Sequence, residues 1–192
     1  MIIWLTGLSG SGKSTLAEGL SRFLRNRGIA PLIIDGDQLR EELSLDLGFS
    51  HKDRKENIRR AGAIAQMACR SGIVSICSLI SPIRSERDEV RTRSERNGNV
   101  FFEIYVSAPL AICEERDSKG LYRKARAGLI PHFTGIDSVY EPPVSPELVI
   151  DTGSLSIDDA TQLLNSAVDR LLSCQQSLFI QKHERHDHPI SS

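Results

Sequence analysis

The chain has 192 residues, with 24 Lys+Arg against 25 Asp+Glu and a formal net charge of −1. Its length is close to one domain at ~150 residues per domain, and 40% hydrophobic with 26% charged residues describes a globule with a core, not a disordered chain. The charge balance argues against a generally cationic nucleic-acid binder, and no window approaches the ~18 apolar residues of a membrane span.

Four cysteines, Cys69, Cys77, Cys113 and Cys174, show neither C-x-x-C pairing nor metal-ligand spacing and read as thiols of a reduced compartment. Met1 to Leu5 is apolar, but it lacks a basic lead-in and soon runs into glycines, which does not fit a signal peptide. A cytoplasmic protein is expected.

Ile2 to Leu5 predicts a short buried strand. A glycine-rich turn follows, then a helix with Leu16, Leu20, Phe23 and Leu24 at helical spacing, closed by Gly28. Leu32-Ile33-Ile34 predicts a second strand. Ser50-His51-Lys52-Asp53 has the form of a capping box and opens a helix with an apolar side of Ile58, Ala61, Ile64, Ala65 and Ala68, ended by Gly72. Ile73 to Ile80 predicts a third strand, and Ser81-Pro82 reads as an N-cap with proline in the first turn of the next helix. Val100 to Val106 and Leu148 to Ile150 predict two more strands, and Ser156-x-x-Asp159 opens a last helix carrying Ala160, Leu163, Leu164, Ala167, Leu171 and Leu172. Residues from about 116 to 146 are rich in Gly, Pro and basic side chains without a long periodic pattern, as a lid would be. The alternation predicts an α/β fold, a five-stranded parallel sheet with helices on both faces and a basic lid. One domain spans 1–173, and a polar C-terminal tail spans 174–192; its His183, His186 and His188 read as part of that tail.

Gly7-Leu8-Ser9-Gly10-Ser11-Gly12-Lys13-Ser14 matches G-x-x-x-x-G-K-[ST], with a strand before it and a helix after it. Glycines let backbone N–H groups wrap a phosphate chain that side chains would keep away, and the helix start adds its positive end. Lys13 is expected on the β/γ-phosphates and the Ser14 hydroxyl on Mg²⁺, with Thr15 in the first helical turn. The motif implies a nucleoside triphosphate and does not say what is done with it.

The second strand ends in Asp35-Gly36-Asp37, which places two carboxylates at the sheet edge where ligands bind in open α/β sheets. A carboxylate there either holds Mg²⁺ or accepts a proton from an attacking hydroxyl. Arg40 follows one helical turn later. Residues 51–60 hold five Lys/Arg against two acids, and residues 116–128 hold five against one. Such runs are either solvated surface or a row of donors for an anionic substrate.

The sequence resembles the adenylyl-sulfate kinase (APS kinase) family. The matching pieces are GLSGSGKST at 7–15, DGDQLR at 35–40, LGFSHKDRKENIRR at 47–60, ISPIRSER at 80–87, CEERDSKGLYRKARAG at 113–128 and FTGIDSVYEPP at 133–143. They run in the family's order and extend from Met1 to about Thr152. The resemblance implies the P-loop nucleoside-triphosphate kinase fold, ATP and Mg²⁺ as cofactors, and transfer of phosphate to the 3′-hydroxyl of adenosine 5′-phosphosulfate (APS). It implies that Asp35 is the general base or Mg²⁺-side carboxylate, supported by Asp37. Arg40, Arg54 and Asn57 would bind the phosphosulfate and ribose, and Phe49 and Phe133 would sandwich the adenine. Ile80, Ser81, Lys119 and Leu121 would line the acceptor site, with Arg123, Lys124 and Arg126 in the lid and Arg123 and Arg126 on the nucleotide. Ser81 matches a serine described in the family as a phosphoserine intermediate. In-line transfer between two bound nucleotides needs positioning and charge neutralisation, not a covalent stop, so Ser81 reads equally as that catalytic serine or as an N-cap whose backbone touches the acceptor. A homodimer is implied, and a sulfate adenylyltransferase partner is left open; neither nucleic acid nor membrane is expected.

Two departures stand out. Leu79 replaces a usual Phe, and Arg123 replaces a usual Lys, keeping charge but not geometry. Alternatives are a related P-loop kinase acting on another nucleotide derivative, such as a cytidine diphosphate compound, and a nucleotide-binding subunit of a sulfate-activation complex. The first would lack the adenine clamp and DR-x-ENIRR; the second would not need Lys13, Ser14, Asp35 and Asp37. A GTPase-like switch would need N-K-x-D, which the sequence lacks.

Overall fold

The computed structural model describes residues 1–184, with side chains to residue 174. In chain order the elements are β1 (Ile2–Thr6), α1 (Lys13–Asn26), β2 (Pro31–Asp35), α2 (Gly36–Glu42), α3 (His51–Arg70), β3 (Val74–Ser78), α4 (Arg84–Arg96), β4 (Phe101–Ser107), α5 (Leu110–Arg116), α6 (Leu121–Arg126), β5 (Leu148–Asp151) and α7 (Ile157–Glu184). The strands form one five-stranded sheet in the order β2-β3-β1-β4-β5. Every pairing is parallel, as the sequence predicts; Ile3 of β1 sits between Ile76 of β3 and Phe102 of β4.

The period of two along β1 divides the core. Ile3 and Leu5 pack with Leu16, Leu20 and Leu24 of α1 and with Ala160, Leu164 and Val168 of α7. Ile2 and Trp4 pack on the opposite face with Leu39 of α2, Ile58, Ala61 and Ala65 of α3, and Val90 of α4. Each of the fully buried large side chains contributes roughly 1.5–3 kcal/mol of transfer free energy, so the two helical layers hold the central strand rigidly. The carboxyl ends of β1, β2 and β3 converge at one edge, where a ligand site is expected. A third, smaller cluster, of Cys113, Tyr122, Ala125 and Phe133, lies in the lid region.

The expected caps of two helices are present. The Ser50 hydroxyl accepts from Asp53 N at 3.2 Å, and the Ser156 hydroxyl accepts from Asp159 N at 3.1 Å. The cap expected at Ser81 is not. The cap residue of α4 is Ile83, and Ser81 has a positive φ of 38° in the turn leaving β3. The stretch from about 116 to 146, which has no long periodic pattern in the sequence, contains the short helix α6, and α5 runs into it. The backbone of α7 continues past residue 173 to Glu184, where a polar tail was expected. His186, His188 and the His183 side chain lie outside the described residues. Among the described residues no helix is long and apolar enough to cross a membrane. All four cysteines are free thiols.

Candidate active site

β1 delivers the chain to the sheet edge, and residues 7–12 turn back into α1. Gly10 and Gly12 have φ of 74° and 96°, which disfavours side chains, and a Cβ on Gly10 would come within 2.8 Å of the Cys113 carbonyl oxygen. Side chains hold four of the loop carbonyls, those of Ser9, Gly10 and Ser11 from outside the loop. Lys13 Nζ donates to Leu8 O at 2.7 Å, Tyr122 Oη to Ser9 O at 2.9 Å, Arg116 Nη1 to Gly10 O at 3.2 Å and Thr152 Oγ1 to Ser11 O at 2.8 Å. A carbonyl tied outward cannot turn into the loop and repel an anion. The Ser11 hydroxyl is buried inside the loop with no hydrogen-bond partner among the described residues.

Lys13 is 8% exposed. Burial lowers its pKa to about 8, against the opposing attraction of Asp35, Cys113 and Asp37. An anion entering the loop would supply the missing counter-charge.

Across from the loop, Asp35 ends β2 and caps α2, its Oδ1 accepting from Asp37 N at 3.0 Å. Its Oδ2 accepts from the Ser14 hydroxyl at 2.8 Å, and Ser14 Oγ also lies 3.3 Å from Ser78 Oγ. A carboxylate beside a hydroxyl is a hard-oxygen set suited to Mg²⁺, which keeps several waters and needs few protein ligands. Lys119 Nζ meets Asp37 Oδ2 at 2.6 Å from the lid side. A cleft of about 670 Å³ joins these parts; its lining includes Ser9, Gly10, Gly12, Lys13, Ser14, Thr15, Asp35, Asp37, Leu79, Ile80, Lys119 and Leu121. Leu79, the replacement for Phe, is buried against the start of α2, its Cγ 3.5 Å from where a Gly36 Cβ would stand.

Other expected site residues stand outside that lining. Arg40 donates to Gly48 O at 2.7 Å and lies 4.7 Å over the Phe49 ring, which is 61% exposed. Arg54 reaches the lid, donating to Thr134 Oγ1 at 3.0 Å and to His132 O. Asn57 is buried with its Oδ1 unpartnered. Phe133 is not an open ring; it is buried edge-on against Tyr122 with centroids 5.0 Å apart. Arg126 is held by Glu114 at 2.6 Å, and Arg123 donates from its backbone N to Asp117 Oδ2 at 3.1 Å. Ser81 is 2% exposed, its Oγ accepting from Trp4 Nε1 at 3.1 Å and donating to Thr6 Oγ1 at 3.0 Å. Its hydroxyl is engaged in this core network.

The expectations omitted Tyr122 and Thr152 and took Arg116 only as part of a basic run. All three act on loop carbonyls from more than 100 residues away in sequence, so local spacing carried no signal for them.

The family model described as adenylylsulphate kinase matches residues 1–151. The chain belongs to the adenylylsulphate kinase family. A probable adenylyl-sulfate kinase of Halalkalibacterium halodurans is 52% identical over 161 residues, 84% of this chain and 79% of that protein. The adenylyl-sulfate kinase of Synechococcus sp. (strain JA-3-3Ab) is 52% identical over 162 residues, covering 84% and 90%. The structure of the Mycobacterium tuberculosis APS kinase in complex with AMPPNP and APS is similar, with a TM-score of 0.84 and 44% identity over 88% of this chain and 96% of that one. The span matched to the adenylylsulphate kinase family ends at Asp151, the last residue of β5, so the phosphate loop, both carboxylates and the lid all fall within it while α7 lies beyond.

Proposed function

We propose that this chain transfers the terminal phosphoryl group of ATP to the 3′-hydroxyl of adenosine 5′-phosphosulfate, giving ADP and 3′-phosphoadenosine 5′-phosphosulfate. The observation that carries the reading is one cleft in which the phosphate loop and Lys13 face Asp35, Asp37 and Lys119. Family membership, and the relative solved with AMPPNP and APS, support it.

The loop amides and Lys13 would hold the donor phosphates. Ser14 and Asp35 would hold Mg²⁺, which would offset the negative charge that builds on the transferring phosphate. In the alternative role Asp35 would take the proton of the acceptor hydroxyl, and Asp37 would keep Lys119 on the acceptor side of the cleft. Arg40, Arg54 and Phe49 lie beside this wall, where guanidinium forks suit a phosphosulfate and a ring face suits adenine. Phe133 would complete the clamp only by turning from Tyr122.

The test is a coupled ADP-release assay over a panel of acceptors. ATP consumption is expected only with adenosine 5′-phosphosulfate and Mg²⁺, and loss of ~100-fold or more in kcat is expected for Lys13→Ala. Equal turnover with AMP or a cytidine nucleotide would overturn the substrate assignment. A homodimer is the assembly carried with this reading, and light scattering of the full chain tests it.

A further inference from the structure

Tyr122 is fixed from two directions. Its ring packs with Cys113, Ala125 and Phe133 in the small cluster of the lid, edge-on to Phe133. Its hydroxyl leaves that cluster and donates to the carbonyl of Ser9 at 2.9 Å, at the apex of the phosphate loop. The residue is 2% exposed. Burial pushes the Tyr122 hydroxyl up from its ordinary value, so it remains a protonated donor at neutral and moderately alkaline pH. It is not part of the cleft lining.

We propose that Tyr122 is a positioning residue for the phosphate loop, anchoring the Ser9 carbonyl outward from a ring buried in the small cluster with Cys113 and Ala125. The other anchors differ in kind. Arg116 is exposed and shares its guanidinium with Thr152, and Thr152 belongs to the turn after β5. Tyr122 alone among them sits on the lid helix α6, three residues from Lys119, and so ties loop geometry to the packing of the lid. Without its hydroxyl the Ser9 peptide loses the bond that holds it and is free to rotate its carbonyl toward the phosphates. The ring would keep its packing in Tyr122→Phe, so the substitution isolates the hydrogen bond.

This inference rests on the proposed binding of ATP by the loop. The experiment measures binding of a non-hydrolysable ATP analogue with Mg²⁺, and of inorganic triphosphate, to the full chain and to Tyr122→Phe by calorimetry, alongside Tm and steady-state kinetics. One hydrogen bond of ordinary strength corresponds to about 3–10-fold in affinity. Both probes are expected to weaken by that factor together, with KM for ATP raised, KM for the acceptor unchanged and Tm lowered only as far as one lost hydrogen bond requires. Tyr122→Leu, which also empties ring volume, is expected to lower Tm further; the difference marks the packing contribution which Tyr122→Phe keeps. Unchanged affinity of Tyr122→Phe for both probes overturns the proposal, as does a loss matched by an equal rise in the acceptor KM. A parent chain that fails to bind the ATP analogue at all would count against the function reading itself.

Discussion

Lys13 is the residue on which the electrostatics of the cleft turn. Its pKa is lowered to about 8 because burial strips water from the ammonium. Between that value and the ordinary 10.5, the unfolded chain holds a proton that the folded chain does not. Stability therefore rises with pH across this window, and the cost of the buried charge is fully present below it. Bound phosphates reverse the balance, because an anion beside the ammonium raises its pKa again. Binding of a non-hydrolysable ATP analogue should therefore take up close to one proton at about pH 9 and almost none at about pH 7. Calorimetry in two buffers of different ionisation enthalpy measures this uptake, and Lys13→Ala should remove it. An absence of uptake at pH 9 in the parent chain would contradict this assignment of the charge.

At the scale of elements, the turn between β3 and α4 explains what Ser81 does. Arg87 of α4 is almost fully buried and donates to Glu103 Oε1 of β4 at 2.8 Å, to Ser81 O at 2.7 Å and to Glu141 O at 2.8 Å. One guanidinium thus joins the turn leaving β3, the middle of β4 and the last part of the lid region. Removing it leaves a buried carboxylate short of its partner, so Arg87→Met should lose ~3–5 kcal/mol in denaturant unfolding. Ser81→Ala removes the hydroxyl that Trp4 and Thr6 share and should lose only ~1–2 kcal/mol while keeping most of the turnover. A folded but inactive Ser81→Ala with normal nucleotide binding would restore the phosphoserine idea. The strands were legible because runs such as Ile2 to Leu5 are apolar on both faces, which marks a parallel sheet covered by helices. The helices α2, α5 and α6 were not: each is six or seven residues long, and α2 and α5 bury one side chain apiece, Leu39 and Cys113. That is too little for a 3.6-residue period to emerge. Ser81-Pro82 has the composition of a cap, but the demand of Arg87 for the Ser81 carbonyl decides the turn instead. The phosphate loop and the two aspartates were legible because each is local. Whether Phe133 stood open was not, since that depends on how Tyr122 packs.

Across the whole molecule, the near-zero net charge conceals pairing more than two open basic surfaces. In the run 51–60, Arg59 and Arg60 share Glu56, Arg60 also meets Asp46, and Lys55 meets Glu89; in the lid, Arg126 meets Glu114 and Lys119 meets Asp37. Most of these pairs are exposed and individually contribute little. Their effect is to leave the buried Lys13 of the phosphate loop, and the neighbouring Arg40 and Arg54, without a paired acid among the described residues and so open to added negative charge. That loop is also the junction of the fold. It follows the central strand β1, and its carbonyls are held by α5 through Arg116, by α6 through Tyr122 and by the turn after β5 through Thr152. Ordering the loop must therefore order three segments that are remote in sequence. Hydrogen exchange with a non-hydrolysable ATP analogue and Mg²⁺, without acceptor, should show added protection at 7–15, at 116–126 and around Thr152. The stretch 47–50, which carries the Phe49 proposed for the acceptor's adenine, should change little until acceptor is added. Protection confined to 7–15 would mean that the donor loop and the lid open independently, and the carbonyl anchors would then be incidental contacts. Protection in all three segments that is lost with Lys13→Ala would show that phosphate binding at the loop drives it, because local opening is suppressed only where the ligand stabilises the closed arrangement.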